Sequence, residues 1–129
     1  LMHIIFHRLH DYAFLNTDLS QYRERLIDLR NNIYAHPEFD WTLEYMAEYV
    51  NLSVRALQKQ YKAFAHISCI NEVIESRLEH SKVLLNRPSD SIQEISFACG
   101  YRNVEHFCRQ FKQHENMTPN QYRKEHRSL

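Results

Sequence analysis

Two short stretches carry side chains that could recognise a ligand by hydrogen bonding. In the first, Arg55, Gln58, Lys59 and Lys62 recur at helical spacing with no acid among them. Arg and Lys donate to phosphate or to the O6 and N7 acceptors of guanine, and Gln can pair bidentately with adenine. In the second, Val104, Glu105, Cys108, Arg109 and Lys112 recur at the same spacing, but with one acid. Glu105 can only accept, Val104 can meet a thymine methyl, and Arg109 is the main donor. Arg102 and Arg123 flank this second strip; with Lys62 and Lys112 they suit phosphate contacts, which position a protein without specifying a base.

Each strip needs a helix whose opposite side is buried. Leu57 and Tyr61 supply that side in the first stretch, and Phe107 and Phe111 supply it in the second, each pair at i and i+4. The region 91–123 shows the whole arrangement most clearly. Ser91 and Glu94 have the spacing of a capping box, and Ile92, Ile95 and Cys99 follow on one helical face. Gly100 ends that helix by accepting a positive φ, and Asn103 can cap the next. Thr118-Pro119 opens a third helix. Helix, tight turn, helix predicts a helix-turn-helix, a motif whose second helix can enter a DNA major groove.

The pattern occurs twice. Subtracting 50 from Phe107, Phe111, Lys112 and Thr118 gives Leu57, Tyr61, Lys62 and Ser68; an offset of 49 relates Ser96, Cys99, Gly100 and Tyr101 to Ala47, Val50, Asn51 and Leu52. Two units in tandem, about fifty residues apart, follow from this internal repeat.

The segments TLEYMAEYVNLSVRALQKQYKAF, RLEHSKVLL and IQEISFACGYRNVEHFCRQFKQHENMTPNQYR closely resemble the DNA-binding domain of AraC/XylS-type (arabinose-regulator-type) transcription factors, over roughly 25–127. The GY, F-x-R-x-F-K and T-P-x-x-Y-R elements stand in the right order and spacing. The resemblance implies an all-α fold, two tandem helix-turn-helix subdomains joined by a long linker helix, about seven helices in all. It also implies that Arg55, Gln58 and Lys59 occupy base-contacting positions, that double-stranded DNA is the partner, and that an effector or dimerisation domain accompanies this one. There are departures. His66 and Asn116 stand where the family usually has glycine, Ser81 and Ser96 where it has alanine, and Glu105 where it has a small neutral residue.

The expected organisation is an arm or tail of an upstream domain at 1–16, a first subdomain at 17–67, a linker helix at 68–87 and a second subdomain at 88–129. In the arm, Met2, Ile5, Phe6, Leu9 and Ala13 form an apolar stripe, and His3, His7 and His10 could share a side as a solvated face. Asp18 to Gln21 precedes a helix with Tyr22, Leu26, Leu29 and Ile33 inward, ended by His36-Pro37. Trp41 is expected to fix by packing how the chain leads into the first unit. Thr42 and Ser53 cap the helices on either side of the Asn51 turn. The linker helix is expected to turn Ile70, Val73, Ile74, Leu78, Ser81 and Leu85 to one face. Its nineteen residues from Ser68 to Asn86, at ~1.5 Å each, make a rod of about 28 Å, suited to placing two reading helices in adjacent major grooves, ~34 Å apart.

Composition bounds the remaining choices. One glycine and three prolines exclude a β-sandwich or a phosphate loop. Three cysteines, Cys69, Cys99 and Cys108, lack the close pairing of a zinc site and fit a reducing, cytoplasmic setting. Cys99 is expected in the core and Cys108 on the outer helix face. No apolar run is long enough to span a membrane, and no cofactor motif or catalytic constellation occurs, so neither an enzyme nor a bound metal is expected. Sixteen basic residues balance sixteen acidic ones, whereas nucleic-acid-binding domains usually lean basic. That neutrality, with Glu105, favours one alternative: a helical interaction module for a protein such as RNA polymerase, its DNA binding weak or lost.

Overall fold

Seven helices and no strand make up residues 22–127, the part of the chain that the computed structural model describes. The arm at 1–16, its histidines and the Asp18 to Gln21 cap lie outside those residues. The order is α1 (22–35), α2 (Leu43–Val50), α3 (Val54–Ala65), α4 (Cys69–Leu85), α5 (Ile92–Ala98), α6 (Val104–Glu115) and α7 (Pro119–Arg127). The chain divides into two compact units. Among the described residues, one comprises 22–32 and Thr42–Cys69; the other comprises Ile33–Trp41 and 70–127.

In the first unit Leu26, Leu29, Met46, Ala47, Val50, Leu57 and Tyr61 are buried, one side of each of α1, α2 and α3. Thr42 Oγ1 accepts from the Tyr45 amide at 3.0 Å and Ser53 Oγ from the Ala56 amide at 3.1 Å, so both helices start where a hydroxyl satisfies a free N–H. Between them Asn51 adopts φ 60° and the Leu52 amide donates to Ala47 O at 2.9 Å. That six-to-one bond closes a left-handed helix end.

The second unit repeats the same steps. The Tyr101 amide donates to Ser96 O at 3.0 Å, the counterpart of the Leu52 bond at the offset of 49. Asn103 Oδ1 accepts from the His106 amide at 2.8 Å. Asn116, φ 62°, donates its amide to Lys112 O as His66, also φ 62°, donates to Lys62 O, both at 2.9 Å. Both substitutes for glycine thus take the left-handed conformation, which Asn tolerates better than His. The Ser91 and Glu94 box forms in both directions, at 2.9 and 3.0 Å, and Thr118 and Gln121 form a second one at 2.8 and 3.1 Å. Gly100 is required twice over. Its φ is 95°, and a Cβ there would lie 3.0 Å from Pro37 O and 3.1 Å from Glu38 Cα.

Leu78, Leu84, Leu85, Ile95, Cys99, Tyr101, Phe107 and Phe111 form the second unit's core, with Ile74, Ile92, Met117 and Tyr122 against its edge. Ser81 and Ser96 are fully buried there. Each hydroxyl donates to the carbonyl three residues back, Leu78 O and Gln93 O, both at 2.7 Å, which is how a serine is accommodated where an alanine is usual.

One expectation needs correction. Ile70 is 40% exposed rather than inward, and Cys69 is buried in its place. The buried side of α4 also takes in Glu72 and Ser76, polar positions that an apolar pattern cannot register. Their chemistry is satisfied: the Tyr34 hydroxyl donates to the Glu72 carboxylate at 2.7 Å, and Ser76 Oγ to Val73 O at 2.8 Å. Trp41 packs as expected just before the Thr42 cap: it is buried, and its indole N–H donates to His36 O at 2.8 Å within the 33–41 segment.

Candidate nucleic-acid interface

Helix α3 is anchored by Leu57 and Tyr61, both fully buried. At 3.6 residues per turn, Arg55, Lys59 and Lys62 lie roughly 120–180° around the axis from that pair, and Gln58 roughly 80°. All four are exposed. The helix carries no acid, and none of the four has an ion pair among the described residues. The result is a donor strip on a helix that begins directly after a tight turn. Every residue predicted for the first strip is brought onto it.

Helix α6 places Glu105, Arg109 and Lys112 at the positions equivalent to Arg55, Lys59 and Lys62, and all three are exposed. Val104 is half-buried at the helix start. Cys108 is the departure. Instead of pointing outward it is half-buried against the core, because its position, like that of Gln58, flanks the buried side, and a short thiol packs where a long amide would reach solvent. Burial raises its pKa, and the Glu105 carboxylate raises it further. Burial pushes the Cys99 thiol up to about 12. In the native protein only Cys108 is therefore expected to react with a thiol–disulfide exchange reagent near neutral pH, and slowly, with Cys69 and Cys99 joining on unfolding. Three thiols titrating at one rate before unfolding would contradict this packing.

The spacing of Glu105 and Arg109 allows an ion pair one turn apart, but none forms within 4 Å among the described residues. Such pairs gain only a few tenths of a kcal/mol, comparable with the side-chain entropy they cost. The other cations divide into two groups. Lys112 is exposed and has no partner among the described residues, while Arg102 lies 3.8 Å from Asp40 with both side chains largely solvated. Arg123 is partly engaged: its guanidinium donates to Leu85 O and Arg87 O, both at 3.1 Å, closing the carboxyl end of α4 with two of its five N–H groups.

Residues that sequence reasoning missed hold α6 in place. Arg77 on α4 donates Nε–H to Pro37 O at 3.0 Å and a terminal N–H to Phe39 O at 2.9 Å, with its guanidinium 5.7 Å from the Tyr101 ring centroid. Burial lowers the Arg77 pKa, a measure of how far the charge is withdrawn from water. At the other end of α6, Lys82 contacts Glu115 at 2.9 Å and Glu79 at 3.0 Å, and His114 lies 3.7 Å from Glu75. Burial alone would lower the Lys82 pKa, but the two carboxylates outweigh it and raise it.

Residues 46–125 match the helix-turn-helix domain family. The chain is 30% identical over 102 residues to the HTH-type transcriptional regulator MtrA of Neisseria gonorrhoeae, covering 79% of this chain and 34% of that protein. It is similar in structure, with TM-score 0.72 and 28% identity, to a transcriptional regulator from Chromobacterium violaceum described as an AraC-type DNA-binding domain-containing protein, over 80% of this chain and 92% of that one. The DNA-binding domain of the global transcriptional factor AdpA, solved in complex with a target DNA, shares the fold, with TM-score 0.76 at 19% identity over 81% of this chain and 94% of that one. The chain spans about a third of the length of the curated relatives it matches first. Among the described residues no helix is long and apolar enough to cross a membrane.

Proposed function

The chain belongs to the AraC-type helix-turn-helix family, and from that premise we propose that it is a sequence-specific, double-stranded DNA-binding transcription regulator acting in the cytoplasm. The observation that carries the reading is the face of α3: Arg55, Gln58, Lys59 and Lys62, exposed, free of acids and presented straight after the Asn51 turn. Arg55, Gln58 and Lys59 read base edges, and Lys62 meets phosphate. On α6, Val104, Glu105 and Arg109 face the bases, with Cys108 beside them at the rim. Lys112 and Arg102 approach the backbone. Arg123 approaches the backbone too: it spends two of its N–H donors on carbonyls at the end of α4 and keeps the others for a phosphate. The family is a class of DNA-binding regulator domains and not a class of enzymes.

Each reading helix is proposed to take one major-groove segment, so the site is asymmetric: two different helices in one chain read two different sequences. The relatives' greater length supports a further effector or dimerisation domain in the whole protein, and RNA polymerase is the protein partner that a transcription regulator of this kind would meet. Selection from random duplexes tests the proposal. A non-palindromic motif of two separated segments is expected, bound at least ~10³-fold more tightly than random duplex. A pool that shows no enrichment would favour the interaction-module reading and remove this one.

A further inference from the structure

We infer that Glu105 makes cytosine the specified base at one position of the second segment, an inference that rests on the proposed DNA reading. Four acids of the second unit are in structural use. Glu72 takes the Tyr34 hydroxyl, Glu94 closes a capping box, and Glu79 and Glu115 hold Lys82. Glu105 differs from these four, and from Asp90 and Glu125, which also have no partner among the described residues, in its place on the outward side of α6. It is exposed on the outward side of α6, where α3 has Arg55, and among the described residues it has no hydrogen bond or ion pair. Asn103 already caps the helix, so the carboxylate is not needed there. Arg109, one turn on, is not held by it either.

A carboxylate facing a major groove can only accept. Guanine offers acceptors at N7 and O6, thymine an acceptor and a methyl group, and adenine a donor with an acceptor beside it. Cytosine alone offers its N4 amino group without an adjacent acceptor on the same base. An acid at the position equivalent to Arg55 therefore reverses the preference from an acceptor-rich purine to cytosine. Arg109 lies about 6 Å further along the helix axis, or one to two base pairs at ~3.4 Å each, and suits a guanine there. The second segment then joins a position specified by an acceptor to one specified by a donor, a combination absent from the all-donor strip of α3.

The test is selection from random duplexes with the 129-residue chain and with its Glu105→Gln variant, each followed by competition with the four bases at every position. The position is exposed, so the variant keeps the fold. The parent is expected to favour cytosine at one position of the second segment by roughly tenfold or more, and Glu105→Gln to abolish that preference, with adenine rising because Gln pairs with its N6 and N7. The first segment should be unchanged. A parent with no cytosine-selective position, or one whose cytosine survives Glu105→Gln, overturns the assignment while leaving DNA binding intact. No enriched motif from either protein overturns the DNA reading and this inference with it.

Discussion

Replacing Arg55 and Lys59 together by alanine is expected to weaken binding to the selected duplex by about 2–6 kcal/mol, if each makes a base contact worth ~1–3 kcal/mol. The two side chains lie one turn apart on the same exposed face, so they can share one guanine or two neighbours, and the losses need not add. Neither residue has a structural partner among the described residues, and the helix is held by Leu57 and Tyr61 from the other side. Thermal stability should therefore move by no more than about 0.5 kcal/mol. Arg109→Ala supplies the comparison. It should cost less than the double change, because the α6 strip sets among its donors an acid with no partner among the described residues, and phosphates repel it. Fluorescence anisotropy with parent and variants reads all three. An unchanged dissociation constant for the double variant, with a large loss for Arg109→Ala, would transfer the affinity to the second helix.

Arg77→Ala is expected to destabilise the second unit by about 2–4 kcal/mol. Two donors from one guanidinium satisfy Pro37 O and Phe39 O, and hydrogen bonds to charged groups are worth ~1.5–3 kcal/mol each, less where solvent reaches them. The Phe39 bond is exposed, which places the expected total below the sum. Removing the side chain also takes the cation from the Tyr101 ring and leaves space beside Gly100. Arg77→Lys should restore only part of the loss, since an ammonium cannot span two carbonyls in a planar fork. Urea unfolding measures both. A loss under 0.5 kcal/mol for Arg77→Ala would show that the 36–41 turn stays seated without it.

The legible part of this chain was local. Hydroxyls and Asn103 at helix starts, left-handed residues at helix ends and apolar pairs at i and i+4 are decided within a few residues, so Thr42, Asn51, Ser53, Ser91, Asn103 and Asn116 could be placed from their neighbours alone. The fifty-residue repeat then tied the two units together, down to matching backbone bonds at Leu52 and Tyr101. What escaped depends on distant partners. Arg77 and Arg123 look like surface cations, yet each gives two donors to carbonyls some forty residues away in sequence. Glu72 and Ser76 are polar and buried, which displaced the expected face of α4 and sent Ile70 outward. Cys108 shows the converse: the right helix and the right side, but a side chain too short to reach solvent fully from that flank. The Glu105 and Arg109 pair, allowed by spacing, does not form because its gain is too small to hold two solvated side chains.

A salt series on the selected duplex tests the central claim most directly. Each phosphate neutralised by a Lys or Arg releases condensed counterions, so the logarithm of the association constant should fall linearly with the logarithm of salt concentration, at a slope of about −0.9 per phosphate contact. Lys62, Lys112, Arg102 and Arg123 are proposed as phosphate contacts, so the parent should give a slope of about −3 or steeper. Lys62→Ala should flatten it by about one unit without changing the selected motif. A slope near zero, or one that Lys62→Ala leaves unaltered, would contradict a DNA interface built on the outward face of α3.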